Sequence, residues 1–128
     1  MDKNLDLKKQ VFYSHTHGPV NADGVIDLIS SYLDEDQSSV YTLVIGTDSH
    51  ETGRTTLKTR SINLVTAIVI HRHGHGGKYF WQRKHIKNIH TLREKIYTET
   101  FASLNFAYSF VPDLQKKLNG KSPSLEIH

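Results

Sequence analysis

The chain has 128 residues, which is enough for one domain with a single modest core. It has no cysteine, which excludes a disulfide framework and any metal site built from thiolates. The net charge is only +3, but ten of the sixteen Lys and Arg residues lie between Thr52 and Lys95, where Glu94 is the one acid. This asymmetry has two interpretations, a polyanion-binding surface or the solvated faces of strands and loops.

The N-terminal segment, MDKNLDLKKQVF, lacks the apolar stretch of a signal peptide. No run of the sequence approaches the roughly 18 apolar residues of a membrane helix. We therefore expect a cytoplasmic protein with no membrane partner, and the lack of cysteine fits a reducing compartment.

The first third of the sequence predicts a polar lead-in and a helix. Residues 1–20 form the lead-in, with a turn at 17–19, and Asn21 has the side chain of a helix cap. The helix is predicted at about 22–33, with Val25, Ile29 and Leu33 among its apolar residues. A polar loop at 34–39 follows it.

Three strands come next, at about 40–47, 61–72 and 78–86. The middle strand has apolar residues on both faces, which is typical of a central strand with cover above and below. The glycine-rich HGHGG predicts a hairpin loop between the second and third strands. Short links between consecutive strands favour an antiparallel meander.

A long helix follows the meander. Thr91 and Glu94 form a T-x-x-E capping box, and the helix runs on to about Phe110, with Pro112 near a kink or opening a further turn. Residues 119–123 predict a break, and the final SLEIH predicts the beginning of another strand. The expected fold class is mixed α/β in one domain, 1–128, with the lead-in and first helix at about 12–33.

Asp48 and Glu99 are predicted to lie at the edge of the core, where a charged side chain needs a partner. Asp48 ends the apolar strand YTLVIGT, and Glu99 falls on the sheet-facing side of the long helix together with Leu92 and Phe110. If these carboxylates converge, they suit Mg²⁺ or Mn²⁺, which prefer oxygen ligands. The alternative is that Glu99 pairs with a Lys or Arg and that Asp48 hydrogen-bonds its own turn.

The segments YTLVIGTDSH, TAIVIHRHGHGGKYFWQRK and TLREKIYTETFASL together resemble the bacterial YkuK family of ribonuclease H-like proteins, from about Phe12 onward. The resemblance implies a ribonuclease H-like fold, in which a three-strand antiparallel meander precedes a helix and parallel strands. It also implies that an acid on the first strand and a glutamate on the following helix hold divalent metal. Asp48 and Glu99 match these two positions.

The resemblance further implies metal-assisted hydrolysis of phosphodiesters in RNA or DNA, with Asp48 and Glu99 as catalytic residues that bind Mg²⁺ or Mn²⁺. His50 is a candidate proton shuttle or outer partner of this site. Four basic residues are candidate contacts to the phosphates of a nucleic acid: Arg72, Lys78, Arg83 and Lys84.

The aromatic run Tyr79-Phe80-Trp81 lies among these basic residues. At least one of the three should point into the core, and Tyr79 or Trp81 is a candidate for stacking on a base. The H-x-H spacings at 15–17 and 71–75 invite a zinc site but lack a further ligand at a diagnostic spacing. Solvated loop histidines are the expected interpretation.

Relatives in the family continue through a fourth strand with a further aspartate, so we expect a truncated domain with an incomplete two-metal site. Two functions remain open, a metal-dependent nuclease or a non-catalytic nucleic-acid-binding or assembly module that keeps the scaffold. An unfinished sheet would also expose the edge of the first strand, through which a homodimer could form.

Overall fold

The computed structural model describes residues 10–54, 60–118 and 124–128. The first nine residues of the predicted lead-in, the basic Lys58 and the predicted break at 119–123 lie outside the described residues. Neither helix in the described part of the chain is long and apolar enough to cross a membrane.

One mixed sheet of six strands organises the fold, in the order β2-β1-β5-β4-β3-β6. The strands are β1 (Val11–Ser14), β2 (Gly18–Asn21), β3 (Val40–Arg54), β4 (Arg60–Arg72), β5 (Gly77–Ile89) and β6 (Ser124–Ile127). The helices are α1 (Ala22–Glu35) and α2 (Leu92–Lys117).

The predicted meander is confirmed, because β3, β4 and β5 pair antiparallel in chain order. The predicted final strand is confirmed as β6, which runs parallel to β3 and pairs with Val40–Leu43. The mixed α/β, ribonuclease H-like fold class is therefore confirmed. Dimerisation through the edge of β3 stays a prediction; β6 and His128 cover that edge as far as Ile45.

Residues 1–20 were predicted to be a polar lead-in with a turn at 17–19, and the two strands at 11–14 and 18–21 were missed. They form the β1–β2 hairpin, in which buried Phe12 and Ser14 alternate with exposed Val11 and Tyr13. Gly18 adopts a left-handed conformation with φ 69° at the turn, as glycine readily does. Strands of four residues give too short an alternation to be recognised in the sequence.

Both predicted helix caps are confirmed. The Asn21 side chain accepts a hydrogen bond from the Gly24 N–H at 2.7 Å, and Thr91 Oγ1 accepts one from the Glu94 N–H at 3.0 Å. The Glu94 carboxylate in turn accepts a hydrogen bond from the His90 N–H at 3.1 Å, so Thr91 and Glu94 both satisfy backbone N–H groups at the start of α2. The helix extends past the predicted end to Lys117, with Pro112 inside it.

The core lies on one face of the sheet, beneath α1 and α2. Fully buried Leu43, Ile68, Ile70 and Phe80 of the strands pack there with Phe110 and other helix residues. The opposite face of β4 carries Val65, Ala67 and Val69, which are partly exposed. Cover on both faces was therefore wrong for the described part of the chain, and we call this uncovered side the open face.

Arg72 anchors the end of α1 to the sheet. Its guanidinium lies 4.1 Å from the centroid of the Tyr32 ring, and it donates to the Tyr32 carbonyl at 2.7 Å and to the Glu35 carboxylate at 3.2 Å. Burial alone would lower the pKa of Arg72, but hydrogen bonds to Tyr41 and Glu35 outweigh it and raise that pKa. This residue therefore acts in packing.

Candidate functional site

The alternation of side chains along β3 decides which residues meet α2. The pairing of β3 with β4 is continuous from Tyr41 to Glu51, so successive side chains point to opposite faces of the sheet. Thr47 and Ser49 face α2, and Ser49 is buried. Asp48 and His50 point to the open face, and both are exposed.

Glu99 holds α2 against the covered face of the sheet. Its carboxylate accepts a hydrogen bond from the Ser49 hydroxyl. One turn further along α2, the Ser103 hydroxyl donates to Thr47 Oγ1 at 2.7 Å, and Thr47 Oγ1 lies 3.1 Å from Thr66 Oγ1. The sheet-facing direction predicted for Glu99 is thus observed, but its partner is a serine and not a Lys, an Arg or Asp48.

The Asp48 side chain forms a hydrogen bond with the neighbouring backbone. Its carboxylate accepts the Ser49 N–H at 2.8 Å, which is close to the local hydrogen bond considered from the sequence. Because β3 continues through Asp48 to Arg54, the side chain of Asp48 has a fixed side, opposite to that of Ser49 and Glu99. The predicted strand ended at Thr47, and Asp48 would then have followed it without a side-chain direction fixed by the strand.

The two carboxylates do not fit one shared cation in this arrangement, because the sheet lies between them. Among the described residues, no group of three or more His, Asp or Glu is arranged to hold a metal ion. Catalytic roles for Asp48 and Glu99, a Mg²⁺ or Mn²⁺ cofactor, and an outer role for His50 stay predictions.

The open face carries a ladder of three aromatic rings. Tyr13 pairs with Trp81 across β1 and β5, with ring centroids 6.3 Å apart. Tyr79 lies two residues before Trp81 on the same face, with centroids 5.4 Å apart and rings 26° from parallel. Tyr13 and Tyr79 are 45% and 49% exposed, so ring surface at the ends of the stack is open to a ligand.

A shallow floor of small residues lies beside the ladder. Gly46, Ala67 and Trp81 form one cross-strand row, and Val44, Val69 and Tyr79 form the next. A Cβ built on Gly46 would meet no atom within 4 Å, so the space directly above Gly46 is free of described residues. A planar ring resting on the floor would touch the edge of the aromatic ladder.

Polar groups bound the floor at one end. Asp48, Val65 and Arg83 form the next row, and Arg83 is exposed. Beyond it, His50 pairs with Asn63 across β3 and β4, and the Asn63 side-chain oxygen lies 3.1 Å from His85 Nδ1. Hydrogen-bonding groups and a cation therefore adjoin an apolar floor and an aromatic wall.

The four basic residues predicted to contact phosphates do not lie on one surface. Arg72 is engaged by α1, and Lys78 lies on that side too, 5.5 Å from the centroid of the Tyr32 ring. Lys84 lines a groove between α2 and β5 on the covered face, whereas Arg83 points to the open face. The four residues therefore do not form one surface, and their contacts to phosphates stay predictions.

The histidines around the hairpin loop contact each other and the neighbouring strand. The rings of His71 and His73 lie 5.3 Å apart, and His73 Nε2 lies 2.6 Å from Thr42 Oγ1. The histidines at 15–17 and 71–75 are exposed, as expected for solvated histidines.

Sequence reasoning found Tyr79, Trp81 and Arg83 but missed Tyr13 and Gly46. The alternation in KYFWQR contained the signal, since buried Phe80 requires its two neighbours to share the other face. Tyr13 could be found only by recognising β1, and Gly46 only by knowing the register of β3 against β4.

Calorimetric titration with Mn²⁺ tests the separation of Asp48 and Glu99. We expect no Mn²⁺ site that depends on both carboxylates, that is, none that is lost in Asp48→Asn and lost again in Glu99→Gln. Glu99→Gln should lower the free energy of unfolding by about 1–2 kcal/mol, because it weakens the bond to Ser49. Asp48→Asn should change it by less than about 0.5 kcal/mol. A Mn²⁺ site that is lost in both variants would contradict this geometry.

Comparison with known protein families agrees with the order of elements. Residues 24–128 match the family described as Ribonuclease H-like, a range that includes most of α1, the meander, α2 and β6. No curated protein and no solved structure matches the chain. Because the family match covers most of the sequence, the chain belongs to this Ribonuclease H-like family, the YkuK family indicated by its motifs.

Proposed function

We propose that this chain binds single-stranded nucleic acid on the open face of its sheet, without hydrolysing it by a two-metal mechanism. The observation that carries the proposal is the ladder of Tyr13, Trp81 and Tyr79, which is partly exposed beside a floor of small residues. Aromatic side chains on an open sheet are the usual platform for unpaired bases. Membership of a ribonuclease H-like family supports a nucleic acid as the ligand.

Stacking supplies most of the affinity in this proposal. A base extends the Tyr79–Trp81 stack at one of its ends or rests on the floor formed by Gly46 and Ala67. Each base stacked on an aromatic ring contributes about 1–3 kcal/mol, whatever its identity. The site is therefore expected to be tolerant of sequence and to accept both RNA and DNA.

Electrostatics plays a smaller part. Arg83 adjoins the aromatic stack, two residues after Trp81 on the same strand and face, and is the cation best placed to contact a phosphate. The other basic residues proposed from the sequence are on the covered side or held by α1. Asp48 on the same row limits the positive potential, so binding should depend only weakly on salt.

Binding is favoured over catalysis because of where the carboxylates lie. Two-metal hydrolysis needs acids that clamp two ions on the same side of the substrate. Glu99 is used in the contact between α2 and β3, on the other side of the sheet from Asp48. Among the described residues, the open face thus has a surface for bases and no paired carboxylates to activate water.

Removing rings from the ladder should weaken binding. We expect Trp81→Ala and Tyr79→Ala each to raise the Kd for a short oligo(dT) or oligo(U) by about 5- to 150-fold, because one stacking contact is lost. Fluorescence anisotropy of a labelled oligonucleotide measures this. Tyr97→Ala is the matched control: Tyr97 is also an exposed tyrosine but lies on α2, across the sheet. Equal losses in Tyr79→Ala and Tyr97→Ala would reject the open face as the site.

Filling the floor should block binding without harming the fold. Gly46 has no close neighbour on its open side and no left-handed φ, so Gly46→Leu adds bulk where the ligand is proposed to lie. We expect unchanged or higher thermal stability and a reduced affinity for oligonucleotides. Undiminished affinity in a folded Gly46→Leu variant would show that the floor is not used.

Substituting two neighbouring basic residues, one on each face of the sheet, tests the electrostatic contribution to binding. Arg83 and Lys84 follow each other on β5 and point to opposite faces. Arg83→Ala should reduce the slope of log Kd against log salt by about 0.7, the value for one phosphate contact with a single strand, while Lys84→Ala should leave it unchanged. An equal change in slope for the two variants would show that binding responds to the net charge of the protein and not to a cation on the open face.

A further inference from the structure

The outer side of α2 carries a stripe of large apolar side chains that no described element covers. Its members are Tyr97, Phe101, Leu104 and Tyr108, which are 66%, 70%, 65% and 82% exposed. At 3.6 residues per turn, their spacings of four, three and four keep them within an arc of about 60°. They lie opposite Phe110 and Leu114, which face the core.

This face of the helix is also free of charge. From Ile96 to Pro112 the only charged residue is Glu99, and it points the other way to bond Ser49. A helix face that remains in water normally carries charged residues along its length. An uncharged stripe more than three turns long therefore selects an equally uncharged, apolar partner.

We propose that a second copy of this chain is that partner, with the two α2 helices packed antiparallel about a two-fold axis. The 4-3-4 spacing is the same read from either end, so the stripe is complementary to itself when reversed. An axis between Phe101 and Leu104 sets Phe101 against Leu104 of the second copy and Tyr97 against its Tyr108. Spacings of three and four are those of a coiled-coil seam, and a two-fold interface requires such self-complementarity.

The available area suits a stable dimer. An aromatic side chain can bury 150–250 Å², so each of the three exposed rings offers on the order of 100–200 Å². The groove of about 850 Å³ beside the stripe is lined partly by Tyr97, Phe101 and Leu104 themselves, and it adds apolar surface from the partly buried Ile86 and Ala102. Together these approach the roughly 800 Å² per partner of a typical specific interface.

The ends of α2 also favour the antiparallel arrangement. Reversal about the axis opposes the two helix dipoles, whereas a parallel pair would align them. This interface lies across the sheet from the open face, so the dimer does not depend on the proposed function and leaves both open faces accessible.

The oligomeric state of the full chain tests the proposal. Light scattering coupled to size exclusion, at about 100 μM protein, should give twice the monomer mass of 14.6 kDa for the wild type. Phe101→Glu should give a monomer, because it buries a charge at the centre of the seam. Leu92→Glu is the matched control, since Leu92 is equally exposed on α2 but lies outside the stripe; it should remain a dimer.

Circular dichroism establishes whether Phe101→Glu is folded, and Phe101→Ser serves as a second variant if it is not. A monomeric wild type, or a dimer that persists in the folded stripe variants, would overturn the proposal; persistence would indicate another interface such as the edge of β3.

A distance between spin labels tests the orientation. The chain has no cysteine, so Lys116→Cys allows one label per copy on an exposed position. With the axis between Phe101 and Leu104, the two labels should be about 40 Å apart, from a rise of 1.5 Å per residue. Parallel helices would place the labels about 10 Å apart, which would overturn the antiparallel arrangement.

Discussion

The two-residue alternation of β3, fixed in register against β4, is the constraint on which the rest of the molecule depends. It sends Thr47 and Ser49 toward α2 and Asp48 and His50 to the other side. The bond from Ser49 to Glu99 then sets the position of α2 on the sheet. A shift of one residue would exchange these two sets, bury Asp48 beneath the helix and expose Ser49.

This register gives the sheet two faces with different chemistry. The covered face holds an apolar core under both helices and a short row of hydroxyl and carboxylate contacts beneath the middle of α2. The open face combines aromatic rings, small residues and the exposed Arg83. The proposal of binding without hydrolysis rests on this separation of Asp48 from Glu99.

Features marked by strong local signals were predictable from the sequence. The strand pattern of SINLVTAIVIHR and the caps at Asn21 and Thr91 gave the meander and both helices, because alternation and capping depend only on nearby residues. The short β1 gave no such signal, and Tyr13 was missed with it. The side on which Asp48 lies depends on where β3 ends and how it pairs, which are tertiary facts. The α2 stripe is apolar like a core face, so sequence alone could not show that it is exposed.

Trp81 is the single tryptophan of the chain and lies in the middle of the aromatic ladder, so its intrinsic fluorescence reports directly on the open face. Titration of the wild-type protein with unlabelled oligo(dT) and oligo(U) is the most direct test of where a single strand binds. We predict a saturable change in Trp81 emission with the same Kd as that from anisotropy. Binding seen by anisotropy with no change in Trp81 emission would contradict a base stacked on this face.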